Sequence, residues 1–200
     1  MPVVDASQSR YSAVAIVLHW AIAILIVMNL LVGMRLEDLK GMTKFFVLQW
    51  HKSYGITVLV LTLARLGWRV FHRPPPFPEH MSAWEKAAAR AAHWGFYVLM
   101  VALPVTGWMM VSASPTNIPT LLYTTIPWPH IDAIHSLQMT TRKVLEGNLH
   151  EVHEYLAWGM TGLLALHVAA ALKHQFWNRD TVLWGMVPVG VLKPKPAKET

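Results

Sequence analysis

Long apolar segments that are almost free of charge constrain this chain more than any other feature. Three stretches contain no Asp, Glu, Lys or Arg, namely Ala13 to Met34, Ala91 to Ala113 and Tyr155 to Leu172. A helix needs about 20 residues to cross the hydrocarbon core of a bilayer, so these stretches have the length of membrane spans. The sequence therefore predicts an integral membrane protein.

A fourth span is predicted between the first two clear ones, from Phe45 to Phe71. This segment is apolar apart from a few polar side chains near its ends, which are His51, Lys52, Arg65 and Arg69. Lysine and arginine in such positions can extend to the membrane surface, so the segment can still span. We predict an all-α, integral membrane four-helix bundle, a single domain over residues 1–200. The predicted helices lie near 13–34, 46–70, 87–111 and 150–175.

The distribution of basic residues predicts the orientation of the bundle. Four spans place both termini on one side of the membrane. That side would carry Arg10, Arg65, Arg69, Arg73, Lys86, Arg90, Lys173, Arg179, Lys193, Lys195 and Lys198, and the other side Arg35, Lys40, Lys44, Lys52, Arg142 and Lys143. Lysine and arginine accumulate on the cytoplasmic side, so both termini are predicted to be cytoplasmic.

This orientation makes residues 112–149 an outward loop and residues 188–200 a basic Pro/Lys tail inside the cell. The first half of the loop is rich in proline, and an interfacial helix is expected near 131–145. The first apolar segment is longer than the 7–15 residues of a signal peptide, so we expect it to remain as the first helix.

Composition narrows the functional classes. The chain has no cysteine, which excludes thiolate metal sites, iron–sulfur clusters and covalent c-type haem attachment. The net charge of +6 does not predict nucleic-acid binding here, because basic residues on the cytoplasmic side of a membrane protein account for it.

Four histidines inside the predicted spans sort into two pairs by depth. His153 and His167 lie 14 residues apart on one helix, which returns them to nearly the same face with a rise of about 21 Å. With the predicted topology, His19 lies at the inner depth of His167, and His51 at the outer depth of His153. Intramembrane ionisable groups are expensive and usually functional, although a single one is often just hydrogen-bonded to a neighbour.

Two histidines at one depth on different helices can hold a metal. Zinc usually takes four ligands, or three and water, and neither pair has a thiolate or a deep carboxylate to complete that set. Copper stays open, because eleven methionines are available. Haem iron needs only two axial ligands and is favoured. Small residues near the ligands, Gly55, Gly159 and Gly162, would let a macrocycle approach.

Other polar residues are assigned weaker roles. His93, near the cytoplasmic start of the third helix, is predicted to be a polar neighbour of the inner haem or a quinone contact. Histidines in loops or at helix ends are expected to be solvated or interfacial, namely His135, His150 and His174. Candidate partners for haem propionates are Lys52, Arg142 and Lys143 outside and Arg10, Tyr11, Ser12 and Arg69 inside. The alternative role is that of helix anchors, which is the usual one for basic residues at a membrane surface.

Several short motifs, taken in order, resemble the bacterial cytochrome b561 family. They are Tyr11-Ser12 with Leu18-His19-Trp20, Trp50-His51-Lys52 with Gly55, Ala102-Leu103-Pro104-Val105-Thr106-Gly107, His153-Glu154 with His167, and His174-Gln175-Phe176-Trp177-Asn178-Arg179-Asp180. The resemblance covers about residues 9–188. It implies a bundle in the bacterial inner membrane with two b haems ligated by His19, His51, His153 and His167.

The resemblance also implies a function. Similar proteins exchange electrons with ubiquinone, and a close relative oxidises superoxide and reduces quinone. We therefore expect an oxidoreductase of the superoxide:quinone type that passes electrons through two haems, with a redox protein as another conceivable partner. An outward basic patch of Lys44, Lys52, Arg142 and Lys143 would attract superoxide.

Three alternatives remain at this stage. A cytochrome b subunit of a dehydrogenase or hydrogenase complex would share the bundle and the ligands. A metal or proton transporter could place histidines along its path and would contain no haem. A purely structural membrane anchor would leave the two depth-matched pairs unexplained.

Overall fold

The computed structural model describes residues 10–79, 81–180 and 182–188. The elements in chain order are α1 (Ala13–Gly33), α2 (Gly41–Phe71), α3 (Ala83–Ala113), β1 (Thr120–Leu122), β2 (Ile126–Trp128), α4 (Asp132–His135) and α5 (Met139–Leu172). Within the described residues, the four long helices α1, α2, α3 and α5 are each long and apolar enough to cross a membrane. The predicted four-span, mainly helical fold is therefore confirmed.

The helices do not all pack against each other. Helix α3 packs along α5 and α2, and α1 packs along α2, whereas α5 has few close contacts with α1 or α2. The tightest part of the core lies at mid-height, where Met160 of α5, only 1% exposed, meets Ile22, Val58 and Met100. We call this cluster around Met160 the core plug. Above and below it, α5 makes few close contacts with α1 or α2.

The described ends of the chain lie together at one end of the bundle. The backbone N–H of Tyr11 donates to the Gly185 carbonyl at 3.3 Å, and Trp20 Nε1 donates to the Met186 carbonyl at 2.7 Å. A π-helical turn (Lys173–Asn178) carries the chain from α5 to this contact. We call this end of the bundle the terminal end, and the opposite end, with residues 114–138, the loop end.

Helix α5 begins at Met139, 11 residues before the predicted start near 150. The expected outward loop of 112–149 is correspondingly shorter. The expected interfacial helix near 131–145 is instead the single turn α4 followed by the first turns of α5. The reason is that hydropathy locates the membrane crossing, whereas the polar turns around Arg142, Lys143 and Glu146 continue the same helix beyond it.

Buried Arg142 joins the start of α5 to the end of α3. Its side chain is only 5% exposed. The guanidinium donates to the carbonyls of Ala113, at 3.3 Å, and Ser114, and to Asn117 Oδ1 at 2.7 Å. The last carbonyls of a helix lack partners within the helix, and a cation there also interacts favourably with the helix dipole. Arg142 thus closes the carboxyl end of α3.

Replacing Arg142 should destabilise the loop end. Hydrogen bonds to charged groups contribute about 1.5–3 kcal/mol each, so R142A should cost about 3 kcal/mol and lower the unfolding temperature by several degrees in detergent. The adjacent exposed residue provides the control, because K143A should leave the thermal transition unchanged. Equal melting temperatures for R142A and K143A would contradict the capping role.

Candidate functional site

Four histidines form two pairs that bridge α5 and the α1–α2 pair. The ring centres of His19 on α1 and His167 on α5 are 6.2 Å apart. The ring centres of His51 on α2 and His153 on α5 are also 6.2 Å apart. Helix α5 contributes one ring to each pair, and in both cases the partner lies on a helix with which α5 has few close contacts.

This spacing is that of two imidazoles on opposite sides of one metal ion. A metal–imidazole bond is about 2.0–2.1 Å long, and a ring nitrogen lies about 1 Å from its ring centre, so two trans imidazoles have centres about 6 Å apart. Both pairs match this value. Each pair therefore has the spacing that a metal ion such as haem iron requires between two imidazole ligands.

A contact between His153 and Thr106 bears on which ring nitrogen of His153 can bind a metal. His153 Nδ1 lies 3.1 Å from Thr106 Oγ1, and this hydroxyl lies 2.8 Å from the Ala102 carbonyl and 3.0 Å from the Leu103 carbonyl. In the arrangement that satisfies all these groups, the hydroxyl donates to a carbonyl and the Nδ1–H of the ring donates to the hydroxyl oxygen. Nε2 then keeps its lone pair, as a metal ligand requires.

Two glycines that the sequence analysis missed hold the rings at the loop end. A Cβ at Gly33 would lie 3.3 Å from His51 Cε1, and a Cβ at Gly107 would lie 3.2 Å from His153 Cε1. Any larger residue would press on the imidazole. Of the glycines proposed from sequence, Gly159 and Gly162 face open space.

Gly55, the third glycine proposed from sequence, faces Asn29, because a Cβ at this position would lie 3.7 Å from Asn29 Nδ2. The Nδ1 of His51 is buried and has no hydrogen-bond partner among the described residues, although the Asn29 carbonyl is nearby.

A third histidine, His93, approaches the pair at the terminal end. Its ring centre is 6.3 Å from that of His167, and Phe96 contacts the same ring edge-on at 5.2 Å. His93 and Phe96 lie on α3, which packs directly against α5, so ordinary helix packing brings these side chains together. His19 approaches from the opposite side, across the gap. His93 is therefore placed as a neighbour of the pair.

A small cleft opens at the terminal end, lined by Tyr11, Arg65, Arg69 and Tyr97 among others. Arg65 lies close enough to interact electrostatically with His19, His93 and His167. Its only hydrogen bonds to described residues are long, at 3.4 Å to the Tyr97 hydroxyl and 3.4 Å to the Ala15 carbonyl. Arg65 can therefore donate shorter hydrogen bonds to an anionic group, a role that the sequence analysis did not assign to it.

Four of the residues proposed from sequence to contact haem propionates make other contacts or are exposed. Arg10 donates to the Val187 carbonyl at 2.6 Å and stacks over Trp184, so it fastens the C-terminal segment. Ser12 caps α1 and accepts a hydrogen bond from Trp68. Arg142 closes α3, as described above, and Lys143 is exposed on α5. Tyr11, Arg69 and Lys52 remain as candidates.

Lys52 and two loop histidines gather at the loop end. Lys52 is half-buried beside His51 and close to His130. The rings of His130 and His135 are stacked at a tilt with centres 4.8 Å apart, and His135 Nδ1 lies 3.2 Å from the Ser112 carbonyl. Burial, with smaller repulsion from His135 and Lys52, lowers the pKa of His130. The His130 ring is thus neutral at pH 7, and Lys52 supplies the positive charge.

A buried histidine–carboxylate pair occupies the terminal end. His174 is 8% exposed, and its Nδ1 lies 2.6 Å from Asp180 Oδ2. Asp180 is held in turn by the backbone N–H of Val182 at 3.0 Å. His174 lies seven residues after His167, in the π-helical turn that continues the chain beyond α5. The sequence analysis expected a solvated or interfacial histidine here; the structure buries the ring, so it is not solvated.

Imidazole pairs that bridge the unpacked gaps of a four-helix membrane bundle define the class of membrane cytochromes b. Comparison with known proteins gives the family. A family model described as prokaryotic cytochrome b561 matches residues 10–189, so this chain belongs to that family, whose members bind haem b and carry electrons in membranes.

Curated relatives resemble the chain over nearly their whole length. Cytochrome b561 homolog 2 of Escherichia coli (strain K12) is 29% identical, over 90% of this chain and 93% of the relative. Cytochrome b561 homolog 1 of the same organism is 28% identical, over 90% and 98% respectively. A protein named probable superoxide oxidase CybB, from Yersinia pestis, is 26% identical over 90% of this chain and 97% of its own length.

Crowding the His153 ring should loosen haem binding. The new Cβ in G107A would force the ring to move, and such overpacking costs about 1–3 kcal/mol. We expect G107A to transfer haem to apomyoglobin about tenfold faster or more. Gly67 of α2 has no neighbouring atom within 4 Å of its Cβ position, so G67A is the matched control and should behave as wild type. Identical transfer rates for both variants would contradict this role of Gly107.

Proposed function

We propose that this protein is a dihaem superoxide:ubiquinone oxidoreductase of the bacterial inner membrane, with both termini in the cytoplasm. His51 and His153 would hold a haem b at the loop end, and His19 and His167 a second one at the terminal end. One observation carries the proposal: the same 6.2 Å spacing occurs twice, each time across a gap between helices that are not packed together.

The two haems, when bound, supply the one-electron redox chemistry that connects the two ends of the bundle. The protein contributes the geometry. Because α5 carries one ligand of each pair 14 residues apart, a single rigid helix fixes the separation at about 21 Å along its axis. The plug around Met160, between the two pairs, excludes water from the middle of the bundle.

The loop end supports the site for the electron donor. By the distribution of Lys and Arg, this end faces outward. A half-buried Lys52 beside neutral His130 gives the end a local positive charge, and such a charge increases the encounter rate of a small anion. Superoxide is the anion that we propose, because the Yersinia pestis relative is named as a probable superoxide oxidase.

The terminal end supports the site for ubiquinone. Reduction of a quinone to quinol takes two electrons and two protons, so two superoxide ions would supply the electrons and the protein must deliver the protons. His174, hydrogen-bonded to Asp180, is a buried group that can donate and regain a proton near the cytoplasmic surface. The small cleft with Tyr11, Arg65 and Arg69 offers donors for a quinone oxygen or a haem carboxylate, and His93 lies close enough to Arg65 and Arg69 to interact with them electrostatically.

Replacing the paired histidines one at a time tests the ligand assignment. Wild-type protein should contain two haems per chain by the pyridine haemochrome assay, and H19A, H51A, H153A and H167A should each contain about one. H150A is the matched control on α5, because the His150 side chain is 57% exposed, and it should keep both haems. Loss of a haem in H93A but not in H19A would contradict the pairing of His19 with His167.

Replacing Lys52 tests the donor site separately. K52M should slow superoxide-driven reduction severalfold at low ionic strength, because the local positive charge is removed. The difference from wild type should shrink as salt is added, since salt screens the attraction. K143M, which removes an exposed charge at the same end, should have a much smaller effect. A K52M rate equal to wild type at all salt concentrations would exclude steering by Lys52.

A further inference from the structure

The hairpin of β1 and β2 packs on the side of α2 that points away from the histidine pairs. Gln49, Ser53 and Thr57 contact it, and these residues follow each other at intervals of four on one helical face. His51 lies about 160° around the helix from the centre of that face. The hairpin therefore belongs to the periphery of the bundle and not to the candidate haem site.

The tip of the hairpin lies at membrane depth. Helix α1 has 21 residues, which corresponds to about 31 Å and matches the thickness of a bilayer core. Its last residue, Gly33, lies against the His51 ring and marks the outer limit of that core on α2. The Tyr123 hydroxyl contacts Thr57 Oγ1 at 2.5 Å, six residues or about 9 Å further into the core than His51.

The composition of the hairpin suits hydrocarbon. There is no Asp, Glu, Lys or Arg between Ser114 and Ile131. Instead, the hairpin exposes the apolar side chains of Ile118 and Ile126, the latter at 57%. In a loop surrounded by water, so much exposed apolar surface without any charge would be unfavourable.

The backbone of the hairpin also meets the requirement of a lipid environment. Polar backbone groups cannot stay unpaired in hydrocarbon. On the β1 edge, Gln49 Nε2 donates to the Pro119 carbonyl at 2.8 Å, the Leu121 N–H donates to Gln49 Oε1 at 2.9 Å, and the Tyr123 N–H donates to Ser53 Oγ at 2.7 Å. Gln49 and Ser53 are both fully buried beneath the strand.

On the far edge, proline removes the donor that would need a partner. The register places Pro127 of β2 opposite Leu121. Because the N–H of Leu121 points toward α2, the backbone nitrogen of Pro127 points away from β1 on the opposite edge. Proline has no N–H, so this edge presents no unpaired donor at that position.

The turn of the hairpin is held in a strained conformation. Tyr123 and Thr124 have φ angles of 51° and 64°, a region that is unfavourable for residues with a side chain and especially for a β-branched one. The contacts of Tyr123 with Ser53 and Thr57 hold this turn against α2. Such strain persists only where the surroundings determine the conformation, so the position of the tip on α2 is built into the fold.

We propose that residues 118–128 form a re-entrant hairpin that is embedded in the outer leaflet beside α2, with its outer face in contact with lipid acyl chains. This inference rests on the membrane-spanning fold, on the contacts of α2 and, for the choice of leaflet, on the proposed orientation of the bundle. It is independent of the proposed haem ligands and of the proposed substrates.

Site-directed fluorescence can test the hairpin directly, because the chain has no cysteine of its own. Single cysteines labelled with the fluorophore NBD would replace Ile126 of the hairpin, Glu37 as a water-exposed control and Leu63 as a lipid-facing control on α2. In lipid vesicles, a lipid spin label near the top of the acyl chains should quench the label at I126C. A spin label placed deeper in the acyl chains should quench the control label at L63C. The quenching constant for aqueous iodide should be at least about fivefold smaller for I126C than for E37C.

Two results would overturn the proposal. Iodide quenching of I126C equal to that of E37C would place the hairpin in water. Protection of I126C from both iodide and lipid spin labels would mean that another protein surface, such as a second copy of this chain, covers it.

Removing the two buried anchors provides a second test. The Q49L/S53A double variant, in the I126C background, should release the strand and raise iodide quenching severalfold. The haem absorption spectrum of this variant should stay unchanged, because the anchors lie on the opposite face of α2 from His51. Unchanged iodide quenching in a variant with a normal spectrum would show that these side chains do not hold the hairpin in the membrane.

Discussion

The architecture depends on the contact between paired imidazoles across gaps that the helices leave open. Most four-helix bundles close their core by packing each helix against two neighbours. Here α5 relies on α3 for its packing and meets α1 and α2 mainly through His19, His51 and the core plug around Met160. A buried polar ring in a membrane is costly without a partner, so each pair is stable only if something satisfies both rings. A metal between the rings does so.

The residues around each pair explain why the two ends of the bundle can act differently. At the loop end, Gly33 and Gly107 confine the rings, Thr106 lies within hydrogen-bonding distance of His153, and Lys52 adds one positive charge. At the terminal end, Arg65 lies beside the rings, and the His174–Asp180 pair lies just beyond the end of α5. In the proposed function, the residues at the loop end would serve an anionic electron donor, and those at the terminal end an acceptor that takes up electrons and protons.

The sequence was sufficient for the spans and for the depth of the histidines, because hydropathy and helix periodicity are local properties. Pairing of His19 with His167, and of His51 with His153, followed from topology, and the structure brings these rings together. The sequence could not reveal the roles of Gly33 and Gly107, because they approach the histidines from other helices. Nor could it distinguish Arg142 from Lys143, which differ only in their tertiary surroundings. The hairpin was also missed, because a proline-rich, uncharged segment resembles an ordinary loop until Gln49 and Ser53 are placed beneath it.

Electron paramagnetic resonance of the oxidised, purified protein tests the central claim most directly, because the signal reports the axial ligands of each ferric haem. Two low-spin species of about equal intensity, both with the signature of two imidazole ligands, are the result that this account predicts. A single species, or a high-spin signal from an iron with only one protein ligand in the intact wild-type protein, would contradict it.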